Sequence, residues 1–114
     1  MADPEVILLA DVHGLLGTRD ELRALLSELA DGARTEPDCV GFRVLAAEDP
    51  ADFVMYGAWT SENALLEHYD TPHYRHYREQ VGLLLARPSD VLVHHLSATV
   101  HPQDPNPPDP GPLS

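Results

Sequence analysis

Between Val6 and Leu96 the segments follow one another as strand, helix, strand, strand, helices, strand, and this order constrains the fold more than any other feature. The first run, VILLADV from Val6 to Val12, is short and apolar with Gly14 and Gly17 behind it, which reads as a buried strand closed by a loop. Thr18, Arg19, Asp20 and Glu21 have the form of a capping box, in which the threonine hydroxyl and the glutamate carboxylate each accept from a free amide of a first helical turn. Leu22, Leu25, Leu26, Leu29 and Ala33 then share one helical face, with Arg23, Ser27, Glu28 and Asp31 on the other, so this helix is expected to cover a sheet. Glu36, Pro37 and Asp38 break it. Two β-prone runs follow, CVGFRVLAA from Cys39 to Ala47 and FVMYGAW from Phe53 to Trp59, joined through Glu48, Asp49 and Pro50, which predicts an antiparallel hairpin. Gly57, inside the second run, predicts a bulge or a close approach by another group.

Thr60 or Ser61 can cap a short helix through Leu65, Leu66 and His68, and Thr71 followed by Pro72 is a second helix start. Tyr74, Tyr77, Val81 and Leu84 recur on one face of that helix, Arg87 and Pro88 are expected to end it, and Val91 to Leu96 supplies a fourth strand. The pattern is α+β, a ferredoxin-like split β-α-β arrangement with a four-stranded antiparallel sheet and helices on one face. The other face would be bare, and a second copy related by a two-fold axis is its expected cover, giving a homodimer. Residues 1–100 make one domain. Residues 101–114, HPQDPNPPDPGPLS, hold six of the eleven prolines and are expected to be extended or disordered, without a catalytic role.

A chain of 114 residues suffices for one core. Seven Lys and Arg against nineteen Asp and Glu give a formal charge of −12, which repels nucleic acid and the anionic face of a membrane, so neither is an expected partner. The start MADPEVILLADVHG has no basic region before its apolar run and is not expected to be a signal peptide. The longest apolar run, Val81 to Ala86, contains a glycine and is far too short to span a bilayer. Cys39 is the only cysteine, so no intrachain disulfide can form. The expected location is the cytoplasm.

The segments EPDCVGF, from Glu36 to Phe42, and DFVMYGAWTSENALLEHYDTPHYRHY, from Asp52 to Tyr77, resemble the antibiotic biosynthesis monooxygenase family. In that family a strand ends in an aromatic residue, a helix carries a histidine, and a threonine-proline-histidine turn opens the next helix; here these are Trp59, His68, and Thr71, Pro72 and His73. The resemblance runs from about residue 6 to 97 and is closest to quinol monooxygenases and autoinducer-degrading proteins. It implies a dimeric α+β barrel with a pocket between sheet and helices, and oxidation of a phenolic compound by dioxygen without metal or flavin. The substrate supplies the electrons, and the protein needs a base, hydrogen-bond donors and a dry aromatic cavity. One departure stands out: many members carry a glutamate two positions before the Trp59 equivalent, where this chain has Gly57. A heme-degrading branch shares the fold, but its tryptophan falls at His68 and its heme-ligating histidine near Arg78, with His76 close by.

His68 and His73 are the candidate catalytic base and hydrogen-bond donor, since imidazole titrates near neutrality and both lie where two helices converge; either could instead serve the backbone structurally. Trp59, Tyr56, Tyr69, Tyr74 and Tyr77 are the candidate walls for a flat aromatic substrate, some of them core. The expected partners are thus a small aromatic substrate, dioxygen and a second copy of the chain. No cofactor and no metal are expected: His73 and His76 lie one turn apart, but His94 and His95 point to opposite faces of a strand, and no CxxC or HExxH accompanies them. Cys39, beside Glu36 and Asp38, is expected to be an unreactive thiol. Two other functions remain open. One is an isomerase or degrading enzyme for a phosphorylated autoinducer-like compound, held by Arg43, Arg75 and Arg78; the other is a dimeric binding module without catalysis.

Overall fold

The fold is set by alternation in the two central strands. In β1 (Val6–His13) the residues Val6, Leu8, Ala10 and Val12 are buried, and in β3 (Asp52–Trp59) the buried set is Phe53, Met55, Gly57 and Trp59, with Ala58. The antiparallel register sets Val6 against Trp59, Leu8 against Gly57, Ala10 against Met55 and Val12 against Phe53, so these residues share one face. A computed structural model describes residues 3–101, and the expected tail therefore lies, apart from His101, outside the described residues. β2 (Cys39–Ala46) and β4 (Asp90–His95) complete a four-stranded antiparallel sheet of order β2-β3-β1-β4, which is the ferredoxin-like arrangement. The irregularity in the hairpin falls between Cys39 and Gly41 on β2, not at Gly57.

The helices α1 (Arg19–Ala33), α2 (Glu62–His68) and α3 (Pro72–Val81) cover the buried face. α1 buries Leu22, Leu25, Leu26, Leu29, Ala30 and Ala33, the stripe that its periodicity predicts and one alanine more. It starts where expected but without the capping box: Thr18 accepts no amide, and its hydroxyl donates to the carbonyl of Leu15 at 2.7 Å. That hydroxyl also reaches the carbonyl of Leu84 at 3.3 Å, so it ties the loop to a distant turn instead of capping the helix. Ser61 and Thr71 do cap, accepting from the amides of Ala64 and Tyr74.

α3 ends earlier than the sequence suggests. A 3-10 turn, Gly82–Leu84, replaces its continuation, because the chain beyond is recruited by β1: Leu85 bridges Gly14, and the amide of Ala86 donates to His13. Among the described residues no helix is long and apolar enough to cross a membrane.

The second face of the sheet is uncovered. Ile7, Leu9, Leu45, Val54, Tyr56 and Leu92 lie on it by register, and Leu9, Leu45 and Leu92 are exposed.

Candidate functional site

Where α1 gives way to β2, the turn carries Glu36 beneath α2 and α3. Its Oε1 accepts from the indole nitrogen of Trp59 at 2.9 Å, and its Oε2 lies 2.6 Å from Nδ1 of His68 and 2.6 Å from Nε2 of His73. Three elements thus converge on one largely buried carboxylate: the last residue of β3, the last of α2 and the second of α3. Burial alone would raise the Glu36 carboxyl, but donation from His68, His73 and Trp59 outweighs it and holds the group below the usual range. His68 is 3% exposed, and burial pushes its pKa below the ordinary imidazole value despite the carboxylate beside it. It is therefore neutral at neutral pH, and since an ionised Glu36 can only accept, Nδ1 carries the proton.

This tautomer leaves Nε2 of His68 as a bare acceptor. No hydrogen bond satisfies it among the described residues, although the ring is buried. His68 also lines a cavity of about 750 Å³ between the sheet and the helices. Leu8, Ala10, Phe42 and Met55 form its floor; Leu29, Tyr69, Tyr74, Tyr77 and Val81 form its wall; Arg78, Pro88, Ser89 and Val91 lie at its rim. β4 leaves the cavity open, for Val91 and Val93 point to the helix side and are still exposed. The volume suits a drug-sized ligand. Tyr74 and Tyr69 stand against His68, with ring centroids 5.1 Å and 5.8 Å from it. Burial raises the Tyr77 phenol to about 12 and raises Tyr69 as well, so these hydroxyls stay protonated and able to donate.

The family model for antibiotic biosynthesis monooxygenases matches residues 6–80. The chain belongs to that family. Rv0793 from Mycobacterium tuberculosis is 40% identical over 75 residues, which are 66% of this chain and 74% of that one. Its solved structure superposes with a TM-score of 0.74, covering 87% of this chain and 95% of that chain. PA3566 from Pseudomonas aeruginosa, at 21% identity, shares the fold with a TM-score of 0.76 over 86% of this chain and 99% of its own. The protein sll1783 from Synechocystis is 23% identical over 99 residues, covering 86% of this chain and 67% of its own.

Within this family fold the predicted site residues separate. His68, Tyr69, Tyr74 and Tyr77 meet at the cavity. His73 does not line it; its ring packs behind Glu36 against Gly32, where an added Cβ would come within 2.4 Å of the histidine Cγ. That contact explains a glycine inside α1, where it otherwise weakens a helix. Trp59, fully buried, is a strut for Glu36 and bounds a separate void of about 110 Å³. Tyr56 lies on the opposite face of the sheet, opposite Arg43 and Leu9 in register, away from the cavity. Of the three arginines considered for a phosphate, only Arg78 lines the cavity, while Arg75 pairs loosely with Asp70 at 3.9 Å. His76 is directed to Glu28 instead of the cavity, at 3.5 Å.

Gly57 is the close approach foreseen from its position. A Cβ there would meet the Trp59 ring at 2.5 Å and Phe42 at 3.0 Å, so the space that a glutamate side chain would need is filled by indole. The carboxylate of this site comes from Glu36 instead, a residue to which the sequence assigns a helix break, a charge near Cys39 and a place in the family-like segment EPDCVGF, but no role in the site. Cys39 is as expected: burial first, and then the charge of Glu36, raise its thiol.

Of the histidines considered for a metal from spacing, only His73 belongs to the group that could hold one among the described residues. Nδ1 of His68, Nε2 of His73 and a Glu36 oxygen lie within 4.8 Å of one another, a donor set suited to zinc or another first-row ion. At 2.6 Å, however, both nitrogens are at hydrogen-bond distance from the oxygen, and ligation at ~2.0–2.2 Å would require the donors to spread apart. The arrangement is a hydrogen-bonded cluster of two imidazoles on one carboxylate.

Proposed function

We propose that the protein is a cofactor-independent monooxygenase for a hydroxylated aromatic or quinol-like small molecule, with His68 as its base. The observation that carries this reading is that His68, buried with Nδ1 held by Glu36 and Nε2 unpartnered among the described residues, lines an aromatic-walled cavity. A histidine acting as general base must be unprotonated at working pH, fixed in tautomer and within reach of the proton it takes. His68 meets the first two conditions, and a ring seated against Tyr74 would meet the third.

In the proposed reaction Nε2 takes a hydroxyl proton, and the resulting enolate passes an electron to dioxygen. Recombination forms a carbon–oxygen bond; the peroxide recovers the proton from His68 and loses water as the hydrogen on the same carbon departs, leaving a carbonyl. One oxygen atom stays in the product, the other leaves as water, and all the reducing electrons come from the substrate. The apolar floor gives the reactive anion few water contacts on the sheet side, and the neutral tyrosines donate to it.

The uncovered apolar sheet face supports a homodimer closed by a second copy, with a pocket in each subunit. The lone Cys39 and the lack of a membrane-crossing helix among the described residues support a cytoplasmic location.

Oxygen uptake by chelator-treated protein with dihydroxynaphthalenes and anthrones, set against the spontaneous rate, tests the reading. Uptake that survives chelation and falls on the order of 10²-fold or more in His68→Gln is the expected result. No protein-dependent uptake across the panel, or full activity in the variant, would remove it in favour of a binding module.

A further inference from the structure

Charge is distributed unevenly around the cavity. The chain has nineteen acidic residues and seven basic ones, all of them arginine, yet no acid lines the cavity and one arginine does. Arg78 stands on α3 one turn beyond Tyr74, with Nη1 3.5 Å from the tyrosine hydroxyl, and no carboxylate pairs with it among the described residues. Tyr74 therefore spans the cavity wall: its ring stands against His68 and its hydroxyl against the guanidinium. A flat ligand lying along Tyr74 would present one end to a neutral base and the other to an uncommitted cation.

Resting on the oxygenase reading and narrowing it, we infer that the cavity selects an anionic aromatic, a hydroxylated ring carrying a carboxylate, with Arg78 as the anchor for that group. A carboxylate offers the guanidinium two parallel hydrogen bonds. The overall charge of −12 would repel an anionic ligand, so a local cation with no carboxylate paired to it among the described residues is what admits it. The same cation would stabilise the enolate once His68 has taken the proton. The tyrosines add no competing charge, since burial keeps Tyr69 and Tyr77 protonated.

The test is anaerobic calorimetry with a matched pair of probes, 1,4-dihydroxy-2-naphthoate and 1,4-dihydroxynaphthalene. The acid should bind wild-type protein about tenfold more tightly, the usual scale for a charge-assisted contact at a partly open site. Arg78→Gln should equalise the two probes and Arg78→Lys should keep part of the difference; Arg78 is exposed, so neither variant should disturb the fold. Equal binding to the wild type, failure of both probes to bind, or a preference that survives Arg78→Gln would overturn the inference. Arg78-dependent binding of the acid without oxygen uptake would leave the anchor standing and remove the oxygenase. His68-dependent uptake without any preference for the acid would do the reverse.

Discussion

The two faces of the sheet each carry a histidine set among carboxylates, and they use it in opposite ways. On the helix side His68 and His73 share Glu36 under cover of α2 and α3. On the uncovered side, at the rim, Nδ1 of His13 lies 3.2 Å from Asp52 and Nε2 lies 3.0 Å from Asp90, with Arg87 3.5 Å away. Burial lowers the pKa of His68 in spite of its acid. Hydrogen bonds to Asp90 and Asp52 raise that of His13. One histidine between two acids has its charged form favoured and ties strands together; two histidines sharing one acid under cover leave His68 a neutral base with a fixed tautomer.

The largest expected effect comes from removing the acid that the helix-side cluster shares. Glu36→Ala leaves two imidazoles and an indole without their acceptor, and should cost about 3 kcal/mol of stability on the scale for unsatisfied buried polar groups. Asp52→Asn at the sheet rim should cost clearly less, because His13 keeps Asp90 as its second partner. Urea denaturation of both variants checks this; an equal loss would mean that the two clusters are structurally equivalent. Glu36→Gln adds a separate readout. An amide keeps one acceptor atom and puts a donating NH2 against either the indole N–H or the two histidines, so the His68 tautomer is no longer fixed, and kcat should fall further than stability alone would explain.

The second effect concerns Gly57. Gly57→Ala drives a methyl into the Trp59 ring, which cannot withdraw because its nitrogen is tied to Glu36, and overpacking of this kind costs about 1–3 kcal/mol. The expected signature is a lower midpoint in denaturant together with a change in Trp59 fluorescence. Unchanged stability would show that the indole is free to move and is not a strut. On the open face Leu92→Asp tests the dimer: sedimentation should convert a two-copy species into single chains, while the folded far-ultraviolet spectrum is retained.

How far the sequence disclosed this comparison follows from what each periodicity encodes. The order of segments and the apolar stripe of α1 are local patterns, and both appear in the fold as read. Tyr56 and Trp59 were grouped because they are close in sequence, yet an odd spacing along a strand sends them to opposite faces, the same alternation that separates His94 from His95. Glu36 was overlooked because a turn acid before proline has an ordinary local explanation. Its partners come from three later elements, a juxtaposition no spacing records. The available signal was a demand for an acceptor: a strand tryptophan and two helix histidines near the covered face all need one, and acids at the turn before β2 could meet it. Thr18 failed in the other direction, because a valid capping pattern was overruled by carbonyls that only the tertiary fold brings near.

The smallest expected effect is also the one that most sharpens the contrast, since the two clusters should respond to pH with opposite signs. Glu36 is held below its ordinary value, so its contribution is complete above the unfolded carboxylate pKa of about 4.3 and is lost as pH falls through the lowered value. His68, lowered from the ordinary 6.5, adds a loss in the same direction, because the unfolded chain takes up a proton before the folded one does. His13 is raised from 6.5, so its contribution is complete below that value and disappears as pH climbs through the raised one. The stability difference between wild type and Glu36→Gln should therefore shrink as pH falls below about 4.3, whereas that between wild type and His13→Gln should shrink as pH rises above about 6.5. Denaturation curves across this range read both slopes, and parallel slopes would mean that cover by the helices does not distinguish the two histidine sites. Activity should follow the helix side alone, falling on acidification as His68 is protonated and remaining level while His13 loses its charge.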